Sequence, residues 1–205
     1  MRKYLSFIAI LVLFISLSFL LYFKISMNKN NLYVVQQEMI IKEKDESVKT
    51  LLQNNILAYE TSGKKINSLV KIESETEELF LNALMKRRRK SILILRYSDL
   101  NCHSCIDNQI SIMKDMSKLI GRENILILAT YKYERDFYLF KKMSKLNGIM
   151  IYNTKNIDMP LDNYGKPYVF VLDLNMVISS IFIPHNDYDE LTKSYYKYLI
   201  SNYFK

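Results

Sequence analysis

The stretch Ser91-Ile-Leu-Ile-Leu-Arg-Tyr-Ser98-Asp-Leu-Asn-Cys102-His103-Ser104-Cys105 decides the reading of this chain. Residues 91–98 are an apolar, β-favouring run of strand length, as expected of a buried strand. Beyond the second cysteine, Ile106, Ile110, Met113 and Ile120 recur near helical spacing, and Gly121 follows as a C-cap. The pair Cys102 and Cys105, the only two cysteines in 205 residues, therefore sits where a strand turns into a helix. There the leading sulfur lies near unpaired backbone N–H groups and the positive end of the helix dipole. Both favour thiolate, the form that attacks disulfides. A two-residue spacer lets the second sulfur reach back, so the pair can cycle between dithiol and disulfide. The motif reads as a redox site.

Two plainer readings compete with it. A Cys-X-X-Cys is half of a zinc site, but no second one exists. With His103 and His185 the only histidines, a Cys₂His₂ set matches no finger spacing. An inert disulfide between residues three apart would close too small a loop to add much stability.

Upstream, Tyr4 to Phe23 is interrupted only by Ser6, Ser16 and Ser18. Twenty such residues in a helix span ~30 Å, the thickness of a bilayer's hydrocarbon core. The run is long for a cleaved signal peptide, and its exit, Leu21-Tyr22-Phe23-Lys24, offers no small-X-small cleavage site. Residues 1–27 are thus expected to be an uncleaved signal anchor, with Arg2 and Lys3 favouring a cytoplasmic N-terminus. The formal net charge of +8 and the run Lys86-Arg87-Arg88-Arg89-Lys90 raise nucleic acid as a partner. At the end of a helix such a run complements the dipole and stays solvated, and nucleic acid is not expected.

Residues 28–61 are polar with scattered aliphatics and lack Gly and Pro. Val34, Ile41 and Val48 are seven apart, but polar residues fill the alternate seam positions, so this reads as a helical stalk rather than a sustained coiled coil. After Gly63 the pattern predicts a short strand over 65–72, a helix over 75–85, the strand at 91–98 and the cysteine helix over about 103–120. A strand at 124–130, a helix at about 134–147 and a short strand at 149–152 follow. The helix turns Phe137, Phe140, Met143 and Leu146 inward. A loop leads to strands at 167–173 and 176–183, and a helix at about 187–203 directs Leu191, Tyr195, Tyr198, Leu199 and Tyr203 toward the sheet. The β-α-β-α opening demands parallel pairing, and the ββα ending adds an antiparallel hairpin backed by a helix.

In that order, with Cys102-His103-Ser104-Cys105 after an apolar strand, residues 62–205 resemble the thioredoxin fold. Within that superfamily the chain looks most like the membrane-anchored TlpA-type (ResA-like) thiol–disulfide oxidoreductases of bacteria. Gly165-Lys166-Pro167 leading into Tyr168 to Asp173 is similar to that family's cis-proline strand, and Ile149–Asn163 to its insertion. The chain departs from the family in its His-Ser spacer, its lack of tryptophan and Lys166 before the proline. The fold implied is α/β, a central mixed sheet flanked by helices and preceded by a transmembrane helix.

The resemblance implies a catalytic set of Cys102, Cys105, His103 and Pro167, with Lys166 and Ser104 in the substrate groove. Cys102 would be the exposed nucleophile and Cys105 the more buried resolving thiol. Protonated His103 would favour the Cys102 thiolate, and Pro167, if cis, would shape the groove. Asp99 and Asp107 flank the motif without an assigned role. The redox-active disulfide needs no further cofactor. The implied partners are protein thiols and disulfides, with residues 4–23 in the bacterial inner membrane and the domain in the periplasm. Two alternatives stay open. One is a thioredoxin-like copper module of the Sco type using Cys102, Cys105 and His185, although that family spaces its cysteines by three residues. The other is an interaction domain whose cysteine pair is vestigial.

Overall fold

A computed structural model describes residues 2–185 and 189–204, with side chains from residue 13 onward. It divides into two compact units, residues 1–50 and 51–205. The first is helical throughout, the leading part of α1 (Arg2–Thr61), and its Val34, Ile41 and Val48 side chains are exposed. Among the described residues no helix is long and apolar enough to cross a membrane. Residues 4–12 of the expected span lie outside those whose side chains are described.

The second unit takes in the last turns of α1. Leu57 packs on the core, Thr61 is buried, and the Tyr164 hydroxyl donates to Asn54 Oδ1 at 2.7 Å. The chain then forms β1 (Lys71–Glu73), β2 (Glu78–Phe80), α2 (Leu81–Arg88) and β3 (Ile92–Ser98). Next come α3 (His103–Ile120), β4 (Ile125–Thr130), α4 (Glu134–Ser144) and β5 (Met150–Asn153). The chain ends with β6 (Tyr168–Leu172), β7 (Ile178–Phe182) and α5 (Asp189–Tyr203). Short 3₁₀ turns lie at Arg122–Asn124 and Pro160–Asn163. One seven-stranded sheet runs β2-β1-β5-β4-β3-β6-β7. The β3, β4 and β5 strands are parallel, as their helical crossovers require, whereas β6 and β7 are antiparallel additions.

Strand β3 is central and buried on both faces, so its sequence is nearly continuously apolar. Leu93, Leu95 and Tyr97 join one core with Ile106, Ile110 and Met113 of α3, Phe137 of α4 and Leu199 of α5. Ile92 and Ile94 join the other with Leu81 and Met85 of α2, Ile157 and Leu161 of the long loop, and Ile66 near the start of the unit.

Several edges differ from expectation. The segment expected as a strand over 65–72 splits. Lys65 bridges Val177 beside β7, a turn built on Asn67 intervenes, and only Lys71–Glu73 forms β1. The helix expected from 75 begins at Leu81, because Ser74 ties off a tight hairpin by bonding to Glu77 and frees residues 78–80 to pair with β1. The α4 helix stops at Lys145, in left-handed conformation, leaving Met143 69% exposed rather than inward. The α5 helix is rotated relative to the reading. It buries Thr192, Tyr196 and Leu199, while Leu191 and Tyr198 are exposed.

Candidate active site

The turn from β3 to α3 places the cysteines. Ser98 to Asn101 close a β-turn, with Asn101 N–H donating to Ser98 O at 2.9 Å and Ser98 N–H to the buried Asn101 Oδ1 at 2.8 Å. Asp99 fixes this turn to the loop after β4. Its N–H donates to Thr130 O at 2.9 Å and its carboxylate accepts from Lys132 N–H at 3.2 Å.

Cys102 is the N-cap of α3, and its Sγ accepts from Cys105 N–H at 3.3 Å. Serine, threonine, aspartate and asparagine usually fill that position, satisfying one orphan N–H of the first turn. Here a sulfur does so, beside the positive end of an 18-residue helix. Cys102 and Cys105 form a disulfide. Ser104 Oγ lies 3.2 Å from Cys102 Sγ, and since a disulfide sulfur carries no hydrogen, the hydroxyl is the donor. Cys102, His103 and Ser104 are exposed and Cys105 is half-buried.

On the other flank of β3, Tyr168 of β6 is paired with Arg96, which sets Pro167 at the same end of the sheet as the cysteines. Pro167 is buried and Lys166 half-buried over the Tyr164 ring, its ammonium 5.4 Å from the centroid. Partial burial lowers the Lys166 pKa below the usual lysine value. Among the described residues no cis peptide bond occurs, so the Lys166–Pro167 bond is trans and the cis expectation is corrected. Trans is the lower-energy isomer of an X-Pro bond by ~0.5–1 kcal/mol. Gly165, with φ of 76°, supplies the turn into this strand.

His185 follows β7, two strands from β3, so about two strand spacings of ~4.8 Å separate their axes. Among the described residues no group of three His, Cys, Asp or Glu could hold a metal ion. The Sco-type donor set of Cys102, Cys105 and His185 is therefore not assembled.

Sequence reading missed two features. One is a buried ion pair, Arg96 Nε to Asp162 Oδ1 at 2.9 Å, with side chains 4% and 6% exposed. Tyr168 OH and Ile157 N–H also donate to that carboxylate, each at 2.9 Å, and Arg96 donates to the Tyr97 and Leu128 carbonyls. An arginine inside an apolar run was its only signal. The other is an aromatic cluster beneath α3, where Tyr97 stacks edge-on against Tyr131 and Phe140, with the two hydroxyls 3.4 Å apart. Burial pushes the Tyr97 phenol far above the ordinary tyrosine range, so it stays neutral.

No family model and no curated protein matches the chain. Solved structures do. A peroxidoxin, BcpB, from Mycobacterium tuberculosis is similar at a TM-score of 0.50 and 11% identity, over 69% of this chain and 97% of that one. A thiol:disulfide interchange protein from Bacteroides sp. is similar at 0.48 and 13%, covering 66% and 90%. The thioredoxin domain of a thiol-disulfide oxidoreductase from Bacteroides vulgatus is similar at 0.45 and 16%, covering 65% and 96%. With β3-α3-β4-α4-β5 parallel and β6-β7-α5 closing the sheet, residues 51–205 have the thioredoxin-like fold.

Proposed function

We propose that the chain is a thiol–disulfide oxidoreductase that exchanges electrons with protein disulfides and thiols through Cys102 and Cys105. One observation carries this reading: the exposed Cys102 sulfur at the helix N-cap, accepting the Cys105 N–H and bonded to the second sulfur. In the reduced enzyme the Cys102 thiolate attacks a substrate disulfide. A mixed disulfide forms, and one substrate sulfur leaves as thiolate and takes up a proton. Cys105, deprotonated, then attacks Cys102 Sγ, releasing the second substrate sulfur and leaving the Cys102–Cys105 disulfide. Two electrons pass to the substrate, and oxidation of substrate dithiols is the same sequence reversed. His103, when protonated, and Ser104 favour the Cys102 thiolate by charge and by hydrogen bond. Lys166 and Pro167 border the substrate groove, and the pair itself serves as the redox group.

The setting belongs to the same proposal. Residues 4–23 anchor the chain in the bacterial inner membrane, with the domain in the periplasm, where an oxidising environment lets a disulfide persist. Supporting it are the apolar run of residues 4–23, broken only by three serines, and the lack of a small-X-small cleavage site at its exit. Carbonate-resistant recovery of the whole chain in the membrane pellet is expected; a soluble form starting near residue 27 contradicts the anchor. The redox reading is tested by insulin-disulfide reduction with dithiothreitol, expected from the wild type and lost in Cys102→Ser. Equal turnover by both contradicts it.

A further inference from the structure

We propose that Asp99 is a positioning residue for Cys102, its carboxylate strapping the turn that carries the attacking sulfur to the loop after β4. The proposal rests on the thiol–disulfide reading above and names what holds its nucleophile at the helix terminus. Asp99 stands three residues before Cys102 and is half-buried. Its two oxygens grip two different segments. Oδ1 accepts from Ser98 Oγ at 3.2 Å, and Oδ2 accepts from Lys132 N–H at 3.2 Å.

Both bonds act on the turn. The Ser98 hydroxyl that donates to Asp99 also accepts Leu100 N–H at 3.2 Å, so the carboxylate sets its direction. Asn101 closes the same turn onto Ser98 through its N–H and its side chain, and Cys102 follows as the cap of α3. The bond to Lys132 runs to backbone, for the ammonium of that lysine lies 5.3 Å from the Tyr133 ring centroid. An amide oxygen at position 99 can accept the same N–H.

The anchor at the far end is itself fixed. Tyr131 N–H donates to Oδ1 of the buried Asn153 at 2.9 Å, and that amide donates to Glu73 Oε1 at 2.8 Å. Thr130 Oγ1 donates to Thr154 O at 2.6 Å. A chain of bonds thus crosses the C-terminal ends of β3, β4 and β5, from the cysteine turn to β1. The backbone bond from Asp99 N–H to Thr130 O does not depend on the side chain, so the carboxylate alone supplies the strap to Lys132. A sulfur gains from a helix terminus only while it stays over the first turn, because the field falls off within that turn. Holding Cys102 there is what the strap contributes.

The test measures the Cys102 pKa by thiolate absorbance in the full chain carrying Cys105→Ser, where Cys102 is the only thiol. Into it go Asp99→Asn and Asp99→Ala. Both lose the charge, but only Asn keeps an oxygen for Lys132 N–H, so their difference isolates the strap. The Ala variant should show the higher pKa by about half a unit, the share a helix terminus gives a nearby charge. Its reaction with iodoacetamide at neutral pH should be about threefold slower than that of the Asn variant. Ser98→Ala, which removes the bond to the other oxygen, should raise the pKa above that of its parent by less, and it replaces Asp99→Ala if that variant does not fold. Equal pKa values within the pair compared overturn the strap, as does a lower urea midpoint in Asp99→Ala with no accompanying pKa difference. The measurement involves no substrate, so a wild type inert toward insulin disulfides rejects the redox reading and not the strap.

Discussion

The two faces of β3 are covered by opposite means. On one, Leu93, Leu95 and Tyr97 meet the apolar stripe of α3, the helix whose first turn holds the cysteines. On the other, Ile92 and Ile94 meet α2 and the long loop between β5 and β6, and the strand then places a charged Arg96 against Asp162 of that loop. The helix-covered face is held mainly by apolar area, with a buried hydrogen bond from Tyr196 OH of α5 to Gln109 Oε1 of α3 at 2.8 Å. The loop-covered face adds to its packing a buried ion pair in which both carboxylate oxygens of Asp162 are bonded, as burial of a charge requires. Apolar packing therefore dominates in positioning the cysteine-bearing helix, and the segment that leads into Pro167 is fixed by apolar packing and an ion pair together.

The largest effect is expected from breaking that pair on one side. Asp162→Ala leaves Arg96 buried without its counter-charge, holding only the Tyr97 and Leu128 carbonyls, and should cost about 3–5 kcal/mol in urea unfolding. The paired replacement Arg96→Met with Asp162→Leu should recover most of that loss, since well-packed apolar residues often replace a buried pair without penalty. No recovery would mean that the pair, and not the filling of that volume, holds the loop. On the helix face, Met113→Ala removes a fully buried side chain and should cost about 2–5 kcal/mol, with no second substitution that restores it cheaply. A loss below about 1 kcal/mol would show that α3 is less firmly seated than its burial implies.

The helix face was legible in the sequence because it is periodic. Ile106, Ile110, Met113 and Ile120 repeat on one side of α3, Gly121 ends the helix, and the central strands appear as unbroken apolar runs. The loop face was not. Asp162 is 66 residues from Arg96, and nothing local announces that a polar loop folds back to meet an arginine in a core strand. The same limit applies to α5, where tyrosines on adjacent faces blur the stripe. At the site, the spacing located the cysteine pair at the start of a helix, while the exposure of each sulfur came only from the resemblance. The trans geometry of Pro167 was not legible, because X-Pro isomers lie within ~1 kcal/mol of each other.

A smaller effect separates dipole from charge at the cysteines. His103→Ala removes the side chain beside Cys102 and leaves α3 intact. An exposed charge at about 4 Å in water is worth roughly 1 kcal/mol, so the Cys102 pKa should rise by less than about one unit. The disulfide potential should become more negative by at most about 20 mV. Thiolate absorbance against pH reads the first quantity and a glutathione titration the second; no movement in either assigns activation to the helix terminus and the Cys105 N–H alone.

The central claim is the division of labour between the two sulfurs, and mixed-disulfide trapping tests it most directly. Cys105→Ser should accumulate a covalent complex with protein substrates through Cys102, because attack proceeds and resolution does not. Cys102→Ser should trap none, its remaining thiol lying half-buried one turn into α3. Equal trapping by the two variants, or trapping by Cys102→Ser alone, contradicts the account.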